Sequence, residues 1–201
     1  MTFGAIKNRV RTLLGEANAN TAFITDAELN YFLDDGIQDM CSRGRVFLAT
    51  ESLTLANGTA NYSVNANYID TLTILKATDD PNAPRAALDR ISPEQSARVY
   101  YTSGRPDYFY VVESTIWFVD TPDANHAAKA YSHIYYAQAN LYSNDAASPQ
   151  FKTVWHPVLV DYVLAQAALK YKLMEIALGA WGRYNQRLGI PAAQVPPLGG
   201  G

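Results

Sequence analysis

Val158-Leu159-Val160-Asp161-Tyr162-Val163-Leu164-Ala165-Gln166-Ala167-Ala168-Leu169-Lys170-Tyr171-Lys172-Leu173-Met174-Glu175-Ile176-Ala177-Leu178 is the most apolar run in the chain, and its spacing decides how the rest must fold. Val160, Leu164, Ala167, Tyr171, Met174 and Leu178 recur at alternating steps of four and three and so form one helical seam, while Leu159, Tyr162, Val163, Leu169 and Leu173 form a second face. A helix apolar on two sides has to be covered on two sides. The first two helices of the chain supply one cover. The second is either another part of the same bundle or a neighbouring subunit, which makes Val160, Leu164, Tyr171, Met174 and Leu178 the candidates for an inter-subunit helix face. The helix is expected over about 157–188, with a bend or break at Gly179 or Gly182. Asp161, Lys170, Lys172 and Glu175 interrupt the run, so it is not a membrane span.

Working outward, Phe3, Ile6, Val10, Leu13 and Leu14 share one face of a helix over about 2–14, which Gly15 stops. Thr25-Asp26-Ala27-Glu28 reads as a capping box opening a helix over about 25–44, whose buried stripe is Leu29, Phe32, Leu33, Ile37 and Met40. Gly36 falls on that stripe at a propensity cost of about 1 kcal/mol relative to alanine, and a close helix crossing is the natural compensation. Between the second helix and the last, over about 46–137, the apolar period changes to two. Leu53 and Leu55, then Asn57-Gly58, then Tyr62 and Val64 predict a β-hairpin. A strand follows over Tyr68 to Lys76, ending in the turn cluster Asp79-Asp80-Pro81-Asn82. Ser92-Pro93-Glu94-Gln95 predicts a short capped helix. Strands at Tyr108 to Val112, Thr115 to Val119 and about Ala127 to Ala137 predict an antiparallel meander, with Tyr131, His133 and Tyr135 on one face. The fold class is therefore α+β: a helical bundle of two N-terminal helices and a long C-terminal one, with an inserted antiparallel sheet. It is read as a single domain over 1–189 followed by a flexible Pro- and Gly-rich tail at 190–201.

Composition closes off several functions. The chain has 201 residues, 48% of them hydrophobic and 17% charged, enough apolar surface for a packed core and too much for disorder. A net charge of -3 argues against a protein whose main affinity is for phosphate backbones. The single cysteine, Cys41, cannot form an internal disulfide and reads as a small buried hydrophobe, which suits a reducing cytoplasm during folding. The N-terminus meets charges within a few residues and lacks the apolar core of a signal peptide. No Gly-rich phosphate loop is present. His126, His133 and His156 do not stand at metal-ligand spacing, so neither a metal nor another cofactor is expected. Asp34-Asp35 and Asp79-Asp80 point to different faces or sit in turns, which predicts solvated carboxylates and no acid/base pair. No catalytic constellation emerges, and the chain reads as a non-enzyme. The 14 tyrosines fit half-buried strand packing, although a Tyr- and Trp117-bearing sheet face leaves open a polymer-binding β module.

The order of elements, more than any one residue, carries a resemblance. Its stretches are Ile24-Thr25-Asp26-Ala27-Glu28-Leu29, Thr54-Leu55-Ala56-Asn57-Gly58-Thr59-Ala60-Asn61-Tyr62-Ser63-Val64 and Ile91-Ser92-Pro93-Glu94-Gln95. They continue with Ser103-Gly104-Arg105-Pro106-Asp107-Tyr108-Phe109-Tyr110 and Thr115-Ile116-Trp117-Phe118. From about Ile6 to Leu188 the chain resembles the head-to-tail adaptor (head completion, neck) proteins of tailed bacteriophages, especially those of short-tailed phages. The resemblance implies a structural virion protein, assembled in the host cytoplasm, that forms a ring, commonly dodecameric, beneath the portal of the DNA-filled head. Its partners would be the portal, tail or nozzle proteins, and further copies of itself, with duplex DNA passing through a channel lined or surrounded by the helices. Another neck or tail-completion protein is the neighbouring reading. The Pro- and Gly-rich end after Leu188 departs from the pattern.

Two sets of residues follow as candidates for that role. Lys7, Arg9 and Arg11, or Arg43 and Arg45, could form a local basic band at a channel that is otherwise polar and near neutral. Trp181, Tyr184, Ile190, Pro191, Val195, Pro196, Pro197 and Leu198 offer apolar anchors on a segment that is expected to extend from the body and dock on the portal.

Overall fold

The computed structural model describes residues 1–16, 23–77, 84–99 and 103–189. They fall into two compact units. One is helical, comprising Met1–Phe47 and the chain from Gln138 onward; the other, Leu48–Ala137, is built from strands and is inserted between the two halves of the first. The fold is α+β.

In the helical unit, α1 (Phe3–Leu13) is capped by the Thr2 side chain, which accepts from the Ala5 amide, and it buries Phe3, Ile6 and Val10. Leu13, expected on that face, is exposed. α2 (Asp26–Ser42) opens with the predicted capping box, Thr25 and Glu28 each satisfying the other's amide. Residues 139–150 follow the return from the sheet unit without forming a helix and brace α1: the amides of Phe3 and Gly4 donate to the carbonyls of Ala147 and Asp145 at 2.8 and 3.0 Å. A 3-10 turn, Thr153–Trp155, then leads into α4, and α3 lies in the sheet unit.

The expected single C-terminal helix is two, α4 (His156–Lys170) and α5 (Met174–Leu188). The break falls at neither Gly179 nor Gly182, both of which sit inside α5. It falls at Tyr171-Lys172-Leu173, where Lys172 takes a left-handed φ of 59°. The reason lies in packing. α4 is buried nearly all round, and α5 turns back antiparallel to supply its second cover, bringing Trp181 and Tyr184 against Tyr162. Val160 and Leu164 are therefore buried within their own unit, which corrects their assignment to an inter-subunit face.

In the sheet unit, β1 (Leu48–Thr54), β3 (Tyr68–Leu75) and β9 (Ala130–Ala137) form one sheet in the order β1-β9-β3, antiparallel throughout. β2 (Asn61–Ser63), β4 (Asp89–Arg90), β6 (Tyr108–Val112) and β7 (Thr115–Phe118) form a second, ordered β2-β7-β6-β4, with β4 parallel to β6. β5 (Ser103–Gly104) and β8 (Thr121–Pro122) make a short parallel pair. α3 (Pro93–Ser96) carries the predicted Ser92 cap, reinforced by Gln95. β6 and β7 form the expected hairpin, but β9 lies between β1 and β3 and does not extend it.

The predicted Asn57-Gly58 hairpin is a turn without a hairpin. Ala56 O accepts from Thr59 N, only Gly58 of the two central residues has positive φ, and Gly58 N donates to Pro122 O. The flanking strands part: β1 pairs with β9 and β2 with β7. Leu53, Leu55, Ile74, Leu88, Phe109, Ile116, Phe118 and Tyr131 form the buried core of this unit.

Candidate functional site

The α4–α5 hairpin is locked by polar contacts that local sequence does not announce. Asp161, on the first turns of α4 and almost wholly buried, receives Arg183 Nε at 2.9 Å and an Arg187 terminal N–H at 2.7 Å from successive turns of α5. Tyr162 donates its hydroxyl to Asp35, and Tyr184 donates to Asp39, both on α2. Burial first, and the neighbouring carboxylate second, push both phenols well above the usual tyrosine range, so they remain hydrogen-bond donors. Tyr162, Trp181 and Tyr184 meet edge to face with centroids 5.2 to 5.4 Å apart. Trp181 and Tyr184 are thus core residues. Neither can lead an extended docking segment without dismantling the unit, which corrects that expectation. The other members of the set, Ile190, Pro191, Val195, Pro196, Pro197 and Leu198, lie outside the described residues, as does the Asp79-Asp80-Pro81-Asn82 turn.

The basic candidates scatter in the same way. Lys7 is 3% exposed, with Nζ at 2.5 Å from Asp145, 3.2 Å from Asn30 and 3.8 Å from Asp26. Arg11 is 6% exposed and bonds the Ile24 carbonyl at 3.1 Å and Asp26 at 2.7 Å. Arg43 grips Asp39 with two N–H groups at 2.6 and 2.7 Å. Arg9 and Arg45 are exposed. A common solvent-facing band at Lys7, Arg9 and Arg11 does not form, because a long cation on the inner side of α1 is stable there only when matched to carboxylates. Asp34 and Asp35 are half-buried and partnered, not free surface carboxylates: Asp34 accepts the Tyr142 amide at 2.6 Å, and Asp35 takes the Tyr162 hydroxyl.

The helical unit also leaves apolar side chains open. Met174 is 49% and Leu178 53% exposed, one turn apart on α5, and Leu173 and Ile176 are exposed on another side of its first turn. Tyr171 is half-buried. Of the predicted inter-subunit set, Met174 and Leu178 therefore remain available. They adjoin a hollow of about 320 Å³ lined by Leu14, Gly15, Glu16, Phe23, Tyr171 and Leu173. Phe23 is 80% exposed and meets Tyr171 edge to face at 6.1 Å. Glu16 holds the mouth in shape: its Oε1 accepts the amides of Phe23 and Ile24 at 2.9 and 3.2 Å. Sequence reasoning missed Glu16, Phe23 and Leu173. The one available signal was an aromatic residue, Phe23, just outside a capping box.

In the sheet unit His133 is fully buried, with Nδ1 at 2.7 Å from Glu51 and Nε2 at 2.9 Å from Thr71, and its ring stacks on Tyr135. Desolvation holds its pKa below the ordinary histidine value, against the pull of Glu51. Tyr110 and Trp117, opposite each other on β6 and β7, present ring planes within 4° of parallel and centroids 6.1 Å apart. Among the described residues, no group of three or more His, Cys, Asp or Glu could hold a metal ion, and no helix is long and apolar enough to cross a membrane.

A family model described as SU10 adaptor protein matches residues 1–197, nearly the whole chain. No curated protein matches it.

Proposed function

Because the chain belongs to the SU10 adaptor protein family, a family of phage head-tail adaptors, we propose that it forms a ring beneath the portal, joins the DNA-filled head to the tail and continues the DNA channel. The observation that carries this reading is the family match over residues 1–197. The exposed pair Met174 and Leu178, one turn apart on α5, supplies a physical means, since apolar side chains left uncovered in one copy are stabilised by burial against another. The charge distribution fits passage of DNA without capture. Lys7, Arg11 and Arg43 are already neutralised by carboxylates, and the chain carries a net charge of -3, so few free cations are offered to phosphates.

Mass photometry tests the reading directly. The protein alone is expected as a monomer and, with portal assemblies, as a closed ring on each portal. A monomer that ignores portals sinks the proposal, and tight, salt-sensitive binding of free duplex DNA at physiological ionic strength contradicts a channel through which DNA slides. The parallel Tyr110 and Trp117 rings favour a second reading, a sheet face that stacks on a polymer such as a glycan. Ordered glycan-array binding by the monomer would mark it.

A further inference from the structure

A closed ring of more than two copies needs a heterologous interface, in which one surface of each copy meets a different surface of the next. The helical unit has an acceptor at one end. The hollow between the end of α1, Phe23 and the start of α5 is apolar except for the Tyr171 hydroxyl and Glu16, whose side chain is nine-tenths buried. One oxygen of that carboxylate is used by Phe23 and Ile24. The other, Oε2, sits 4.0 Å from Arg11 Nε and accepts no hydrogen bond among the described residues. Oε2 is enclosed and faces the Arg11 guanidinium, so the space that remains is walled by Leu14, Phe23, Tyr171 and Leu173 and fits an uncharged, apolar peptide.

The chain carries such a peptide at the other end of the same unit. α5 stops at Gly189, and its last residue, Leu188, lies against Gly44 at the far end of α2 from Phe23. The end of α5 is thus about 22 Å from its start at the hollow. Beyond it run Ile190-Pro191-Ala192-Ala193-Gln194-Val195-Pro196-Pro197-Leu198-Gly199-Gly200-Gly201, twelve residues without a charged side chain, enough to span about 40 Å when extended. Its three prolines lower the entropy lost on docking.

We infer that, in the ring proposed above, the C-terminal segment of each copy docks in the Leu14, Phe23, Tyr171 and Leu173 hollow of the next copy. Val195 and Leu198 fill the apolar space. Donor and acceptor lie at opposite ends of one unit, so the contact propagates head to tail and closes only when the ring does. The inference rests on the ring reading and gives the Pro-rich segment a partner on the chain itself, where the sequence pointed to the portal.

Engineered cysteines test it, because the one native cysteine, Cys41, is buried. Full-length Leu173→Cys/Val195→Cys protein, mildly oxidised with portal assemblies, is expected to give a disulfide ladder from dimer to full ring on a non-reducing gel. A single fast-running monomer band means that each segment fills its own hollow, and it overturns the inference. Rings on portals with no disulfide overturn it while leaving the ring reading intact. Mixing the two single variants is expected to give one-to-one pairs. Such pairs with no ring on portals uphold the docking contact and overturn the ring reading. Full-length Leu173→Glu, altered at an exposed rim, is expected to keep the wild-type melting temperature and to lose ring formation by tenfold or more; wild-type ring yield would overturn the inference.

Discussion

Replacing Gly36 by alanine sets helix propensity against packing at the point where α2 crosses α4. A Cβ built on Gly36 meets Leu159 Cδ1 and Tyr162 Cδ1 at 2.8 Å and Tyr162 Cγ at 3.2 Å. Carbon pairs rest near 3.5 to 4.0 Å, so two neighbours must each retreat by most of an ångström. Leu159 is fully buried, and Tyr162 is pinned by its hydroxyl on Asp35 and by Trp181 and Tyr184 against its ring. Overpacking of this kind costs about 1–3 kcal/mol, and two pinned neighbours put it toward the upper part of that range. Alanine returns about 1 kcal/mol of helix propensity, leaving a net loss of about 1–2 kcal/mol. Gly182 is the control: it lies in α5 with nothing within 4 Å of an added Cβ, so Gly182→Ala should gain about 0.5–1 kcal/mol. Urea unfolding followed by circular dichroism and linear extrapolation resolves the difference. If Gly36→Ala is as stable as the wild type while Gly182→Ala behaves as expected, the crossing is not tight and the account of Gly36 is wrong.

Three further outcomes follow from the same geometry. Glu28, hydrogen-bonded by Lys170 and by the Thr25 amide, titrates at about 2, below its ordinary 4.5. Its contribution is therefore present above pH 4.5 and lost as pH falls toward 2, and Glu28→Gln should flatten that part of an acid unfolding curve. His133 has a folded pKa below 6.5 because burial disfavours its charge, so the unfolded chain takes the proton first and stability falls as pH drops below 6.5. Urea midpoints at pH 7.5 and 5.5 should differ for the wild type and differ less in His133→Gln, the remainder coming from buried His156, whose pKa burial also lowers; an unchanged pH response in that variant refutes the assignment. Burial pushes the Cys41 thiol up, so maleimide should label it only as the protein unfolds, and rapid native labelling would contradict its position.

What could be read ahead of the structure was what is encoded locally. Thr25 with Glu28 and Ser92 with Pro93 specify their caps within four residues, and both formed as expected. The period-two runs located most strands, including the buried alternation of Tyr131, His133 and Tyr135. Partners were another matter. Asn57-Gly58 encodes a turn, but nothing in ten residues tells β1 that its partner is β9, some eighty residues on, where the gain from burying Leu53 beside Tyr131 outweighs the local hairpin. The break at Lys172 was hidden for a related reason. The heptad-like seam from Val160 to Leu178 is continuous in sequence, and only the return of α5, with Arg183 and Arg187 closing on Asp161, stops the helix there. The interaction surfaces were half legible. Met174 and Leu178 were singled out by spacing, whereas the hollow depends on Glu16 folding back to Phe23, a contact no periodicity records.

β1 and β9 are neighbours in register, with Leu48 opposite Tyr136, and they are also the two strands by which the chain enters and leaves the sheet unit. A pull on the sheet unit is therefore shared by two covalent strands side by side, both drawn from the same end. The bonds that tie β9 to β3, from Tyr68 opposite Ala137 to Leu75 opposite Ser132, lie across that pull.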